Sequence, residues 1–210
     1  MIRWLFTKYR NVCVKLDTRY QCYKRRRKLK NRDFSIISNN CWGGLVSQYY
    51  GLAYKSPTCG LLINGSDYIK FCKDIRHYLT LKLDFFNFED STFTYLSRDN
   101  MSFPVARLGD VQIGFVHYAT PEEAAEKWYR RAKRINWDNV IFKISHRESF
   151  SDDDIKAFAL LDLPNKLIIA EKDYGEKTVI IPGISTLVGD ETALIFEQLD
   201  VTSYLNALKK

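Results

Sequence analysis

The stretch Phe34-Ser35-Ile36-Ile37-Ser38-Asn39-Asn40-Cys41-Trp42-Gly43-Gly44 decides the predicted fold. Residues 34–38 form an apolar run typical of a β-strand, a polar glycine-containing turn follows, and residues 44–50 favour a short helix. In this strand–loop–helix unit of α/β proteins, glycines let the backbone approach a ligand, and the first helical N–H groups attract an anionic or strongly hydrogen-bonding group. The pattern therefore predicts ligand contacts from residues 39–44. A tight turn, in which asparagine tolerates left-handed conformations, explains the same residues equally well.

The chain beyond this unit alternates strand patterns with helix patterns. We predict strands at 34–38, 59–63, 111–116, 140–144, 166–170 and 178–181, a loop and strand within 85–96, and helices at 44–50, 66–79, 120–134 and 151–161. Thr120-Pro121-Glu122-Glu123 and Ser151-Asp152-Asp153-Asp154 have the spacing of helix N-caps with capping boxes. This order predicts an α/β fold with a mixed or mostly parallel sheet and helices on both faces.

A strongly basic segment precedes that domain. Residues 1–32 hold twelve Lys/Arg and one Asp, a net charge of +11, so the remainder of this +7 chain carries −4. An apolar stripe predicts that the segment is an amphipathic helix; its members are Leu5, Tyr9, Val12, Leu16, Tyr20 and Tyr23. We therefore divide the chain into a basic arm, 1–33, and a single α/β domain, 34–210. Three roles are open for the arm: packing on the domain, attachment to an anionic membrane surface, and nucleic-acid binding. The acidic domain disfavours nucleic-acid binding, because it repels the phosphate backbone.

The five cysteines show no paired spacing, which favours reduced thiols and a cytoplasmic protein, peripheral at the inner membrane face if the arm binds lipid. Residues 1–6 are too short for a signal sequence, and no run of about 18 apolar residues predicts a membrane span. Because the three histidines are scattered, the pattern predicts no metal site, and it indicates no cofactor.

Four motifs resemble a bacterial domain-of-unknown-function family usually labelled exopolysaccharide biosynthesis protein. They are Asn39 to Gly44, Ser56-Pro57-Thr58-Cys59-Gly60-Leu61, Pro104-Val105-Ala106-Arg107-Leu108-Gly109-Asp110, and Trp128 through Arg134-Ile135-Asn136-Trp137-Asp138-Asn139. The resemblance covers residues 34–205 and implies an intracellular α/β protein linked to the assembly of surface polysaccharide or lipooligosaccharide. It implies no particular reaction or substrate.

Three polar segments follow predicted strands, where α/β proteins bind ligands. They are residues 39–44, the Asn64–Asp67 segment with Ser66 and Asp67, and His117-Tyr118. If their strands are neighbours, these segments share one pocket. His117 is a candidate general base, with a loop-bonding histidine as the alternative.

Other side chains extend this hypothesis. Asp110 is a second candidate base, or else a turn residue. Arg107 and the cluster from Arg130 to Arg134 are candidates for binding phosphate, although cations at a helix end are also favoured by the helix dipole. Cys41 is a candidate nucleophile at a helix N-terminus. Asp152 to Asp154 fit a helix start better than a metal motif.

Two functions remain open from the sequence. The first is a glycosyl- or other group-transferase that uses an activated sugar or a lipid-linked glycan precursor. The second is a non-catalytic protein, which binds a glycan or nucleotide sugar or docks on a partner through the arm. The sequence does not separate them, and it does not give the oligomeric state.

Overall fold

The computed structural model describes residues 17–99, with side chains to residue 96, and 102–147, 149–175, 177–187 and 191–208. The first helix, α1, covers 17–27 in this description. The elements that follow are β1 (Ser35–Ser38), α2 (Trp42–Tyr49), α3 (Gly65–Lys73), α4 (Ile75–Tyr78), β2 (Asp84–Phe86), β3 (Val105–Leu108), β4 (Val111–Gly114), α5 (Pro121–Ala132), β5 (Val140–Ser145), α6 (Asp152–Leu160), β6 (Lys166–Ala170), β7 (Thr178–Ile180), α7 (Thr192–Gln198) and α8 (Val201–Ala207). No helix among these residues is long and apolar enough to cross a membrane.

A four-stranded parallel sheet organises the domain, in the order β1-β5-β6-β7. Successive side chains of each strand point to opposite faces, and both faces are buried. Ile36 and its neighbours pack under α2, α7 and α8, whereas Ile37 and its neighbours pack under α3, α5 and α6. The predicted α/β fold with helices on both faces is therefore confirmed.

A second sheet is antiparallel, in the order β2-β3-β4. The turn predicted at Gly109-Asp110 joins β3 to β4, but β3 itself was not predicted. The predicted strand 59–63 is wrong, because the segment forms one isolated bridge between Leu62 and Gly114. The next amide, that of Ile63, donates to the carbonyl of Asn39 (3.0 Å). The segment thus connects the two sheets instead of joining either.

Both helix N-caps predicted from the sequence are present in the structure. Ser151 and Asp154 form the predicted capping box. Thr120 caps α5 as predicted, but the carboxylate of Glu123 accepts from the amide of Ala119 (3.1 Å) rather than from Thr120. The predicted helix 66–79 is broken at Asp74, whose side chain accepts from His77 at the start of α4. Helices α7 and α8 were not predicted.

The basic arm is only partly within the described residues. The predicted stripe from Leu5 to Leu16 lies outside them, so the helix predicted there stays a prediction. In α1 the two remaining stripe members, Tyr20 and Tyr23, are 54% and 48% exposed. The division into arm and domain also stays a prediction, although Leu29 is buried in the core formed by α2, α7 and α8.

Candidate functional site

A cleft of about 340 Å³ opens beside α2, where the two sheets meet. Four parts of the chain line it: the first helical turns of α2, the segment around Cys59, the residues after β4 and the inner face of α5. Its lining residues are Cys41, Gly44, Leu45, Gln48, Tyr54, Cys59, Gly60, His117, Tyr118, Lys127 and Arg131.

Backbone contacts bring these parts together. The amide of His117 donates to the carbonyl of Gly60 (3.2 Å), which fixes the chain after β4 against the segment that connects the sheets. Gly60 has a φ of +80°, and a Cβ there would lie 3.3 Å from the Tyr118 ring. Glycine is needed because the conformation is left-handed and the ring is close. The backbone of His117 is consequently fixed at the cleft, and the residue is exposed.

Arg131 is the most unusual residue of the cleft. Only 7% of its surface is exposed to solvent. Its Nη1 donates to the carbonyl of Cys59 (3.0 Å) and to the Tyr118 hydroxyl, while its buried Nε has no hydrogen-bond partner among the described residues. The guanidinium also lies over the ring of Tyr54, 4.6 Å from its centroid. Within the described part of the chain no carboxylate forms an ion pair with it.

Neither neighbour of Arg131 supplies the missing negative charge. Burial raises the pKa of Tyr118 to about 12, although the guanidinium of Arg131 opposes this shift. Burial likewise raises the pKa of the Cys59 thiol to about 11, again opposed by Arg131. Both groups are therefore neutral near pH 7, and the Tyr118 hydroxyl donates its own hydrogen bond to the carbonyl of Cys59.

Lys127 brings a second cation to the cleft. It forms an ion pair with Glu123 one turn earlier in α5, and its Nζ lies 5.5 Å from the centroid of the Tyr118 ring. Glu123 is the carboxylate that interacts with both cations, as an ion pair with Lys127 and at longer range with Arg131, so these three groups together carry one net positive charge. A cationic cleft beside the first turn of a helix suits an anionic group of a ligand.

The structure separates the predicted ligand segment 39–44 into two groups. Cys41 and Gly44 line the cleft with His117. Gly43 instead packs on β1, since a Cβ there would lie 3.0 Å from the Ile36 side chain. A bulky residue at 43 would therefore disturb packing before it disturbed any ligand.

Asn39 and Asn40 belong to a buried polar network at the carboxyl ends of β1 and β5, whereas the Trp42 side chain lies in the hydrophobic core under α2. Asn39 Oδ1 accepts from the amide of Ser145 (3.1 Å), which ties the two strand ends together. Asn40 Nδ2 donates to Glu191 (2.9 Å), and its Oδ1 accepts from Lys143 (3.2 Å) and from the Trp42 amide (3.2 Å). None of these three side chains lines the cleft.

Lys143 and Glu191 form the centre of that network as a buried ion pair, 0% and 3% exposed. Ser145 donates to the same carboxylate (2.8 Å), and Arg147 lies 3.3 Å from it. Burial is the largest influence on the Lys143 ammonium and lowers its pKa, while Glu191 opposes that shift. All these groups are satisfied by one another, which is the arrangement of a structural ion pair.

The remaining predicted residues do not line the cleft, and two of them, Asp67 and Asp110, make contacts at the hairpin of β3 and β4. Asp67 accepts from the amide of Gln112 (3.0 Å), and Asp110 accepts from the Tyr78 hydroxyl (2.7 Å) and pairs with Lys70 (3.0 Å). The other two are Ser66, which is exposed, and Arg107, which lies 4.2 Å above the Phe86 ring.

The three polar segments do not follow neighbouring strands of one sheet, which was the condition for a pocket shared by all three. His117 follows β4 of the antiparallel sheet, and residues 64–67 follow a segment that is not a strand. His117 still meets Cys41 because the connecting segment bonds to both sheets.

Sequence reasoning treated Arg131 as one of several cations at a helix end and missed its burial. Ala124, Trp128 and Arg131 are spaced at i, i+4 and i+7, and all three are buried. This spacing would have placed Arg131 on the apolar face of α5. Lys143 also had a signal, because it interrupts an apolar strand that is buried on both faces.

The fold and the cleft define an α/β protein with a cationic cleft beside its parallel sheet. The chain belongs to the family described as "Domain of unknown function (DUF1919)", whose model matches residues 13–206. This confirms the resemblance at the level of a domain-of-unknown-function family. A protein of Haemophilus influenzae strain Rd, named "Uncharacterized protein", is 32% identical over 148 residues, which cover 70% of this chain. The match spans 66% of that relative's length, slightly less than two thirds.

Proposed function

We propose that the protein is a group transferase of bacterial surface-polysaccharide assembly, whose cleft binds the phosphate of an activated sugar or of a lipid-linked glycan precursor. The observation that carries the proposal is the buried guanidinium of Arg131, which has no carboxylate partner in the described part of the chain. The link to surface polysaccharide comes from the sequence motifs, and the cleft supports the phosphate.

The argument for phosphate is energetic. Removing a cation from water costs several kcal/mol unless an opposite charge or hydrogen bonds compensate it. Two neutral oxygens, the carbonyl of Cys59 and the hydroxyl of Tyr118, both bond to Nη1 and offset only part of that cost. Nε forms no hydrogen bond within the described residues, and the Nε–Nη2 edge of a guanidinium is a fork that fits two phosphate oxygens. A bound phosphate would satisfy both the charge and the fork.

The other cleft residues suit transfer from such a donor. Lys127 adds positive charge where the leaving phosphate gains negative charge. His117, exposed at the cleft, takes the proton of an acceptor hydroxyl as its oxygen attacks the sugar carbon. The bond from that carbon to the phosphate breaks, and the phosphate leaves with its electron pair beside Arg131. Asp110 lies outside the cleft lining, so we give it no part in this reaction.

Thermal unfolding with inorganic phosphate, nucleoside diphosphates and nucleotide sugars tests the site. A ligand at 100 times its Kd stabilises a protein by about 2.7 kcal/mol. For a chain of this size that corresponds to a rise in Tm of roughly 5–10 °C. Any compound that produces the shift is then tested for turnover with glycan acceptors.

Arg131→Met is the decisive variant, and Arg130→Gln is its matched control. Arg130 is the adjacent residue of the same helix, but it is exposed and pairs with Glu126. We expect Arg131→Met to lose the ligand-induced shift while Arg130→Gln keeps it. Since an apolar side chain costs less to bury than an unpaired cation, the Tm of Arg131→Met without ligand should change little.

Two results would contradict the proposal. An equal shift in both variants places the binding site elsewhere, and a large loss of Tm in Arg131→Met without ligand assigns Arg131 to the core. Arg131→Lys keeps the charge without the fork, so we expect it to bind more weakly than the wild type. Binding without turnover would make the protein a non-catalytic binding protein of the same pathway.

A further inference from the structure

Helix α1 has two faces of different character, and one of them packs on the domain. Residues 22, 25 and 26 form the inner face, and Leu29, two residues after the end of the helix, continues it. The contacts of this face are Cys22 Sγ to the Gln48 carbonyl (3.4 Å), Arg26 Nη1 to the Gly51 carbonyl (2.8 Å), Arg25 above the Tyr49 ring (4.0 Å) and the burial of Leu29. These contacts fix which side of α1 faces outward.

The outward face repeats the same spacing with aromatic and basic residues. Tyr20, Tyr23, Lys24 and Arg27 are all exposed. Lys24 lies 4.6 Å from the centroid of the Tyr20 ring, and Arg27 lies 5.8 Å from that of Tyr23. Each cation thus stands over a tyrosine on the same stripe.

We propose that this outward face of α1 is a docking surface for an anionic lipid bilayer. A tyrosine ring is apolar with a polar tip, so it settles at the level of the lipid headgroups. Lysine and arginine beside it attract the phosphates of anionic lipids. The sequence predicted attachment through an apolar stripe, whereas the described part of the helix presents two tyrosines, each with a cation beside its ring.

A lipid surface fits this face better than nucleic acid does. The described helix is eleven residues long, or about 16 Å. A nucleic acid would extend past it and meet the rest of the chain, which carries −4 outside residues 1–32. In a fluid bilayer of mixed lipids, anionic headgroups can gather under the helix while neutral headgroups lie next to the acidic domain, which the fixed charges of a nucleic acid do not permit.

The inner contacts of α1 place this surface next to the cleft. Gln48, whose carbonyl accepts from Cys22, is itself a cleft residue. Docking would therefore hold the cleft close to the headgroups, where lipid-linked molecules present their phosphates. The docking proposal does not depend on which ligand occupies the cleft.

Vesicle sedimentation of the full chain tests the proposal. Vesicles of phosphatidylcholine alone are compared with vesicles of phosphatidylcholine and phosphatidylglycerol in equal parts. We expect pelleting only with the anionic vesicles, with a pelleted fraction that falls as salt is added. Lys24→Glu with Arg27→Glu should abolish pelleting, and Tyr20→Ser with Tyr23→Ser should weaken it several-fold.

The matched control is Lys133→Glu with Arg134→Glu, which changes the net charge equally at two exposed residues after α5. It should pellet as the wild type does, and a melting curve confirms that each variant is folded. Equal pelleting with neutral vesicles, or equal loss in both charge-reversed pairs, would overturn the proposal. Retention on a duplex oligonucleotide without any pelleting would replace it with a nucleic-acid surface.

Discussion

Arg131 is held in place by neutral oxygens, and this leaves a buried positive charge that the described residues do not balance. A protein optimised only for stability would place an apolar residue there, because Ala124 on the same face is fully buried and has no polar side-chain atom to satisfy. Violations of such local rules concentrate at functional sites. Burying the Arg131 cation costs folding free energy, and this cost is the physical reason for assigning the residue to ligand binding.

A substitution of His117 should distinguish ligand binding from catalysis. Its backbone amide bonds to Gly60 while the residue is exposed, so His117→Gln should change stability by no more than about 0.5 kcal/mol. Ligand-induced stabilisation should remain, and turnover should fall by about 10²–10⁴-fold if the imidazole is the general base. Kinetics with a stabilising donor decide this. His77→Gln, an exposed histidine on α4, is the control, and equal activity in both variants would remove His117 from catalysis.

The cysteines should differ sharply in reactivity. Burial raises the pKa of Cys59 to about 11 and that of Cys72 further, and both are buried, so both thiols should resist alkylation in the native protein. Cys22 and Cys41 are half-buried and should react first. Mass spectrometry after treatment of the native protein with iodoacetamide, without reductant, gives the order in which the cysteines react. Complete alkylation of all five cysteines on unfolding is expected, and a reproducible disulfide would contradict it.

Between elements, the pair of Lys143 and Glu191 links β5 to the start of α7. Asn40 extends this link to the turn after β1, so one carboxylate joins three parts of the chain. The pair occupies the carboxyl edge of the parallel sheet, where the sequence predicted a ligand. The edge is instead filled by the protein's own charges, and the open cleft lies to one side.

Glu191→Gln tests how much this link stabilises the domain. The change leaves Lys143 and Arg147 without their counter-charge, and breaking a buried pair in this way costs about 3–5 kcal/mol. Glu197→Gln, at an exposed position of the same helix, should cost less than about 0.5 kcal/mol. Urea unfolding measures both free energies. If the two variants unfold at the same urea concentration, the pair contributes no net stability.

The same carboxylate should give the protein an acid-sensitive stability. Burial alone would raise the pKa of Glu191, but the charge of Lys143 and hydrogen bonds from Lys143, Asn40 and Ser145 lower it below its ordinary value. Its contribution is therefore complete above about pH 4.3, the unfolded value, and is lost as pH falls through the lower native pKa. Unfolding free energies measured between pH 3 and 6 (about the range of carboxyl titration) should fall more steeply for the wild type than for Glu191→Gln. Parallel curves would contradict this.

Across the whole molecule, features that depend on nearby residues could be predicted from the sequence, whereas contacts between residues far apart in the chain could not. The caps at Thr120 and Ser151 depend on residues three positions away, and both were found from the sequence. The segment around Leu62 reads as a strand, but its amides are divided between β4 and the end of β1, which only the tertiary structure decides. Glu191 is 48 residues from Lys143, and no pattern in the chain indicates that they meet.

The boundary between arm and domain is the last testable feature. Deleting residues 1–27 removes α1 and its contacts with α2, whereas deleting 1–33 also removes Leu29 and the hydrogen bonds of Lys28 and Lys30 with Asn206 of α8 (2.9 and 2.7 Å). Both sheets and most of each core remain in either form, so we expect both to fold. The larger deletion should be less stable than the smaller by about 2–5 kcal/mol, the usual cost of losing a buried leucine.

Leu29→Ala in the full chain is the control for that comparison and should reproduce most of the difference. Urea unfolding with a shared m-value gives the free energies, and circular dichroism verifies the fold. A chain of residues 34–210 that fails to fold would show that the arm completes the core and that the boundary at residue 33 is wrong. Equal stability of both deletions would show that the turn after α1 only rests on α8, with the arm separable along its whole length.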